Sequence, residues 1–245
     1  MAWLEIRNLR KEYRLEKKLE KKTTVALDDF SLSVEKGDFV GIVGRSGSGK
    51  TTLLRLLSGM LGRTGGEIVY RGGEEAKIGM VFQEPRLMPW LTVEKNVLFA
   101  YLNGSRRRLP LEKSDALLEL LGLAEYKNAY PSQLSGGMAQ RVALGRALCY
   151  EPELILMDEP LGALDYFTRK ALQDEILKLH FSQKKTILFV THDVEEALIL
   201  SRRIVVLEGG RLIREIPVDL PYPRRQTDPR FAATLDLILS LIVGT

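Results

Sequence analysis

Gly44-Arg45-Ser46-Gly47-Ser48-Gly49-Lys50-Thr51 has the spacing glycine, four free positions, glycine, lysine, then serine or threonine. A glycine-rich string can be an ordinary turn, so its neighbours decide the reading. Before it stands Phe39-Val40-Gly41-Ile42-Val43, a short apolar run of strand type; after it, Thr52-Leu53-Leu54-Arg55-Leu56-Leu57 reads as a helix stopped by Gly59. Strand, loop and helix arrive in the order a phosphate-binding loop requires. Glycines at 44, 47 and 49 open backbone conformations closed to other residues, so that main-chain N–H groups converge on an anion. The helix that follows points the positive end of its dipole at the same place. Lys50 then meets the terminal phosphates as a point charge, and the Thr51 hydroxyl ligates the Mg²⁺ that travels with them.

Further along, other polar clusters stand at the ends of apolar runs. Leu154 to Met157 is a strand that delivers two adjacent carboxylates, Asp158 and Glu159, followed by Pro160. Neighbouring strand-end residues point different ways, so Asp158 can serve Mg²⁺ while Glu159 faces an attacking water. Thr191-His192 follows the apolar strand Ile187 to Val190 and comes out beside the phosphate loop. Gln83 follows the strand that ends in Phe82, where its amide can reach a metal or a water. Leu134-Ser135-Gly136-Gly137 opens the helix Met138 to Leu148, which makes a second anion site from a helix N-terminus. His180 closes the helix built on Leu172, Ile176 and Leu179 without such context and is read as a surface residue.

The 245 residues fit one large α/β domain or a domain with an inserted lobe, and 45% hydrophobic residues suffice for a core. The longest apolar stretch, Leu237 to Val243, is broken by Ser240 and too short to span a bilayer. Without a basic-then-apolar leader the chain is expected to be cytosolic. Its single cysteine, Cys149, leaves no internal disulfide and reads as a small buried hydrophobe. A net charge of +4, from 36 basic and 32 acidic residues, suits nucleotides without demanding nucleic acid.

Residues 3 to 9 and 30 to 34 alternate as half-buried strands, separated by the mixed-charge run Arg14 to Lys22, read as a solvated hairpin tip. Residues 65–70 and 77–82 add two strand candidates, and from Thr92 to Leu148 the spacing turns helical. Within that lobe Arg106-Arg107-Arg108 reads as a solvated loop, since no aromatics interleave it. Strand-type text resumes at 154–157, 186–190, 204–207 and 211–216. Strands alternating with helices predict a mainly parallel sheet covered on both faces, with ligand-binding residues at the strands' C-terminal ends.

Taken together, these residues closely resemble the ATP-binding subunit of ABC transporters. The phosphate loop, the Gln83 loop, the Leu134-Ser135-Gly136-Gly137 signature, the strand with paired acids, Ala163-Leu164-Asp165 and His192 stand in the family's order over about residues 3 to 216. The resemblance implies an α/β fold: a P-loop NTPase (RecA-like) core with an N-terminal antiparallel β subdomain and an inserted helical subdomain. The core is expected at about 1–87 and 149–216, the helical subdomain at about 88–148 and a short tail at 217–245. It implies a nucleotide-dependent homodimer in which Ser135 and Gly137 of one subunit close on the γ-phosphate held by Lys50 of the other. The nucleotide set so implied is Tyr13 on the adenine, Gly44, Arg45, Ser46, Gly47, Ser48, Gly49, Lys50, Thr51 and Thr52 on the phosphates, and Ser135, Gly136, Gly137 and Asp165. Thr51, Gln83 and Asp158 would serve Mg²⁺; Glu159, His192 and Gln83 would be catalytic.

This sequence departs from the family pattern in three places. Met138 replaces a common Gln, Gly162 stands where Ser is common, and a charged insertion follows Tyr13. Among family members the motifs look most like importers of nitrate, sulfonate or taurine. The resemblance thus implies a peripheral protein on the cytoplasmic face of the membrane, working with permease subunits and an extracytoplasmic solute-binding protein. The rival reading is a soluble ABC-type ATPase acting on ribosome or DNA, which would usually bring a tandem cassette or a long heptad insertion. A P-loop kinase or GTPase would lack the Ser-Gly-Gly signature. The loop Glu84 to Leu91 holds Leu87, Met88 and Trp90 between two prolines, a composition suited to gripping a permease helix between Gln83 and Trp90. The alternative is that Trp90 plugs the lobe's own core.

Overall fold

The computed structural model describes residues 2–17, 20–71, 76–102 and 111–244. The described strands and helices run, in chain order, β1 (Leu4–Lys17), β2 (Glu20–Val34), β3 (Phe39–Val43), α1 (Lys50–Leu57), β4 (Gly65–Tyr70), β5 (Ile78–Val81), α2 (Val93–Val97), α3 (Phe99–Leu102) and α4 (Leu111–Leu120). They continue as α5 (Gly136–Cys149), β6 (Leu154–Asp158), α6 (Tyr166–Gln183), β7 (Thr186–Val190), α7 (Val194–Leu200), β8 (Arg203–Glu208), β9 (Arg211–Pro217) and α8 (Pro229–Val243). Contacts divide the chain into two compact units, Met1–Glu75 with Thr186–Thr245, and Ala76–Lys185. Arg106-Arg107-Arg108 lie outside the described residues.

The first unit holds an antiparallel sheet in the order β2-β1-β4. β1 and β2 form one long hairpin paired from Leu4 opposite Val34 out to Lys17 opposite Glu20, so the mixed-charge run makes the hairpin's arms; residues 18 and 19 lie outside the described residues. Along the end of β2, Leu32 and Val34 are buried while Ser31 and Ser33 are exposed, the period of two that one covered face imposes. In the same unit β3 lies between β7 and β8 in parallel, and β9 joins β8 antiparallel at the edge. Every residue of β3 and β7 is buried, which is why both read as unbroken apolar runs. Over this sheet α7 and α8 close a core that includes Val43, Ala197, Leu198, Val206, Phe231 and Ile238. The apolar stretch 237–243 therefore belongs to an amphipathic helix, started by Asp228, whose carboxylate accepts the Arg230 N–H at 2.9 Å, and by Pro229 in the first turn.

In the second unit β5 and β6 pair in parallel, from Ile78 opposite Leu154 to Val81 opposite Met157. α5 packs against β5 at Gly79, where a Cβ would lie 3.0 Å from the Ala147 carbonyl oxygen. α2 and α4 pack on the other parts of α5, and Cys149 is buried as expected. His180 corrects the sequence reading: it is 3% exposed, not a surface residue, and its Nδ1 lies 3.1 Å from the Lys185 carbonyl oxygen. Leu172, Ile176 and His180 follow one another at intervals of four, so the helix's own apolar stripe carries the ring inward.

Candidate functional site

In the first unit the phosphate loop leaves β3 and enters α1 as the spacing predicts. Gly44 is required by a close approach, since a Cβ there would stand 2.0 Å from the Leu207 carbonyl oxygen. Gly49 combines φ of +107° with a Cβ position 2.4 Å from the Ala26 carbonyl oxygen, so conformation and space both exclude a side chain. The loop is tied back by the Gly210 N–H, which donates to the Ser48 carbonyl at 3.0 Å. Lys50 is 6% exposed and its ammonium donates to the carbonyls of Gly44 (2.8 Å) and Arg45 (3.0 Å), holding the loop curled over the start of α1. Arg45, Ser46 and Gly47 form the exposed crest, with Thr51 and Thr52 half-buried behind them. Arg45 also donates to the Val243 carbonyl at 2.7 Å, where the last turn of α8 presents its negative end.

β7 brings His192 to this loop. The Thr191 N–H donates to the Ile42 carbonyl at 3.2 Å, so the residue after Thr191 emerges beside the point where the chain leaves β3. The turn is fixed by the Thr191 hydroxyl, which donates to Glu196 at 2.8 Å, and by Asp193, whose carboxylate caps α7. His192 itself is exposed. Tyr13 lies on β1 with its hydroxyl 3.4 Å from that of Thr52, so the aromatic ring stands next to α1 despite the charged arms that follow it. Lys11 Nζ lies 5.3 Å from the centre of the same ring.

In the second unit Ser135 is the N-cap of α5, its hydroxyl accepting the Met138 N–H at 3.2 Å. Ser135 and Gly136 are exposed; Gly137 is buried, and a Cβ there would lie 2.0 Å from Thr168 Cγ2. β6 ends in Asp158 and is followed by Glu159, both half-buried, and Glu159 takes the left-handed φ of +47°. Asp165 caps α6: its carboxylate accepts the Phe167 and Thr168 N–H groups at 3.1 Å each. Hydrogen bonds from Thr168, side chain and backbone, hold that carboxyl below the usual aspartate range.

Gln83 is exposed just after β5. The segment that follows is fastened by side chains the sequence reading did not single out. Gln140 of α5, 2% exposed, donates to the Phe82 carbonyl at 2.9 Å. Arg146 of α5 donates to the carbonyls of Pro85 (2.7 Å) and Arg86 (2.8 Å), and burial lowers its pKa. Asn96 of α2, fully buried, accepts the Met88 N–H at 2.8 Å and donates to the carbonyls of Met88, Leu91 and Thr92 at 3.1, 3.0 and 3.1 Å. The signal was present: Gln140 and Asn96 are uncharged polar residues on otherwise apolar helix faces, where only a satisfied amide can stay. The clamp leaves Trp90 outside, 71% exposed, so the reading that it plugs the lobe's core is wrong.

Among the described residues no group of three or more His, Cys, Asp or Glu gathers into a metal cage. The donors expected for Mg²⁺, Thr51, Gln83 and Asp158, offer oxygen alone, the chemistry that this ion takes when phosphates and waters complete its shell.

The ABC transporter family matches residues 27–162. The aliphatic sulfonates import ATP-binding protein SsuB of Bacillus licheniformis is 44% identical over 222 residues, covering 88% of this chain and 86% of that protein. Its namesake in Bacillus subtilis is 42% identical over 226 residues, covering 90% and 88%. Among solved structures, the dimeric post-hydrolysis state of the ATP-binding cassette MJ0796 bound to ADP and Pi is similar with a TM-score of 0.75 at 32% identity, covering 88% of this chain and 98% of that one. A second dimeric structure of MJ0796 gives a TM-score of 0.76 at 34% identity. A family match over more than half of the chain and relatives above 40% identity over most of its length leave one reading: the chain belongs to the ABC transporter family, as one of its ATPase cassettes.

Proposed function

We propose that this cassette powers the import of a small organic solute of the sulfonate class through membrane permease subunits, fed by an extracytoplasmic solute-binding protein. The SsuB relatives support the solute class. No helix among the described residues is long and apolar enough to cross a membrane. The permease would meet this cassette at the cytoplasmic face.

The cassette would work as a homodimer with each ATP between two copies. In one copy the phosphate-loop N–H groups, the dipole of α1 and Lys50 hold the phosphates, and Tyr13 stacks on the adenine. In the other, Ser135 and the N–H groups of Gly136 and Gly137 complete the γ-phosphate's shell. Mg²⁺, when bound, would neutralise charge that develops between the β- and γ-phosphates. Thr51, Asp158 and Gln83 would be the residues to hold it. Glu159 orients and deprotonates the attacking water, and His192 contacts the γ-phosphate. Asp165 keeps α6 anchored beside Gly137. The observation that carries this reading is the presence in one chain of two glycine-bearing helix N-termini, at α1 and α5, with the first built so tightly that Gly44 and Gly49 admit no side chain.

The test is Glu159→Gln. ATP binding persists while turnover falls by at least about 100-fold, the scale of a lost general base. Light scattering of this variant should show a dimer with ATP and a monomer with ADP. Near-normal hydrolysis would remove Glu159 from the catalytic role, and equal dimer with both nucleotides would remove the γ-phosphate from the interface.

A further inference from the structure

Two large aromatic side chains stand in solvent at the start of α6. Tyr166 is 69% exposed and Phe167 81% exposed, and their rings meet edge to face, 5.4 Å apart at 82°. Each ring steadies the other, which lowers the entropy that a partner would have to remove. The backbone beneath them is equally fixed, because the Asp165 carboxylate accepts the N–H groups of both Phe167 and Thr168. A rigid, solvated aromatic pair is what the anchor of an interface looks like before its partner arrives.

Its place in the unit says which partner. The residue after Phe167 is Thr168, whose methyl occupies the space that a Cβ at Gly137 would need, 2.0 Å away. The aromatic pair and the Ser135–Gly137 cap therefore form one continuous surface, welded at Thr168. We propose that Tyr166 and Phe167 form a docking surface for a second copy of this chain, flanking the Ser135–Gly137 cap and contributing apolar contact to the nucleotide-dependent dimer. This rests on the homodimer reading above. Polar groups around the phosphates dictate when the copies associate; the aromatic pair adds affinity that does not depend on the phosphate count. In a two-fold dimer each copy supplies the pair once, so a single substitution removes the contact on both sides.

The test uses the full chain carrying Glu159→Gln, with and without Tyr166→Ala and Phe167→Ala together, followed by sedimentation over a concentration series in ATP and in ADP. Both rings are exposed, so the melting temperature should not change. The expected result is that the ATP-bound dimer's dissociation constant rises by about tenfold or more in the double variant, the scale of a lost aromatic anchor. Unchanged dimer affinity overturns the proposal while leaving the homodimer reading intact. The same unchanged affinity with lost assembly onto permease-containing membranes also overturns it and assigns the rings to the permease. If the Glu159→Gln chain stays monomeric in ATP, the homodimer reading fails and this surface fails with it.

Discussion

Two loops of this protein are held in place by opposite means. The phosphate loop, Gly44 to Gly49, is shaped by close backbone approach, with Gly44 and Gly49 so near the carbonyls of Leu207 and Ala26 that a side chain has no room, and Lys50 and the Gly210 N–H tie its carbonyls down. The segment from Phe82 to Leu91 is held by side chains reaching in from helices, with Gln140 and Arg146 coming from α5 and Asn96 from α2. Close backbone packing sets the first apart, and side-chain hydrogen bonds from neighbouring helices set the second apart. The difference suits what each is proposed to touch. A loop that cradles phosphate must be the same in every cycle, whereas one that reports to a partner gains from being bolted to α5, whose N-terminus is the proposed sensor of the opposite ATP.

The largest effect is expected where shape decides. Gly49→Ala puts a methyl group 2.4 Å from the Ala26 carbonyl oxygen at φ of +107°. Strain and overlap together should cost about 3 kcal/mol of stability or more, read by chemical denaturation. Calorimetry should show ATP binding weakened about tenfold or more, about 1.4 kcal/mol per decade. A variant that keeps full stability and affinity would show that the loop is softer than its packing says.

Next is Asn96→Ala. It strips partners from the Met88 N–H and from the carbonyls of Met88, Leu91 and Thr92 in a fully buried place. The expected loss is about 2–4 kcal/mol, since buried groups left unsatisfied bear the desolvation penalty. Hydrogen exchange should quicken across 83–91 while the phosphate loop keeps its protection, and a uniform quickening would erase the contrast between the loops.

The smallest effect on the fold is expected from Met88→Glu. Asn96 grips the backbone of Met88 and not its side chain, so stability should change by about 0.5 kcal/mol or less. Met88 is half-buried and remote from the proposed chemistry, so basal hydrolysis should hold within about twofold. Transport in reconstituted membranes with the permease should fall. Unchanged transport would move the docking surface elsewhere.

How much of this was legible in the sequence follows the same division. The phosphate loop could be read because close backbone approach demands glycine at fixed spacing, and β3, β6 and β7 because full burial leaves unbroken apolar runs. β4 was legible from its own pattern and the run Arg14 to Lys22 as the end of a hairpin, while the pairing of residues 10–13 with 23–29 was not, because no clean alternation marks it. The clamp on the Gln83 segment was not foreseen: Gln140 lies 58 residues from its acceptor Phe82, and no local rule links them. His180 went astray for a related reason, since its type was weighed above its place on the stripe. α8 was seen only as an apolar stretch because nothing local shows the cover that Phe231 and Ile238 find against α7 and β8.

Glu159 stands with φ of +47°, a conformation that glycine enters freely and glutamate enters at a cost of about 1 kcal/mol. Selection for a sturdier chain alone would therefore place glycine there, and the fold would gain from it. A glutamate just after β6 is what the proposed hydrolysis would require there in exchange for that stability. Screens of this protein for heat resistance alone should drift toward losing that carboxylate, so survivors need to be checked for turnover as well as for melting.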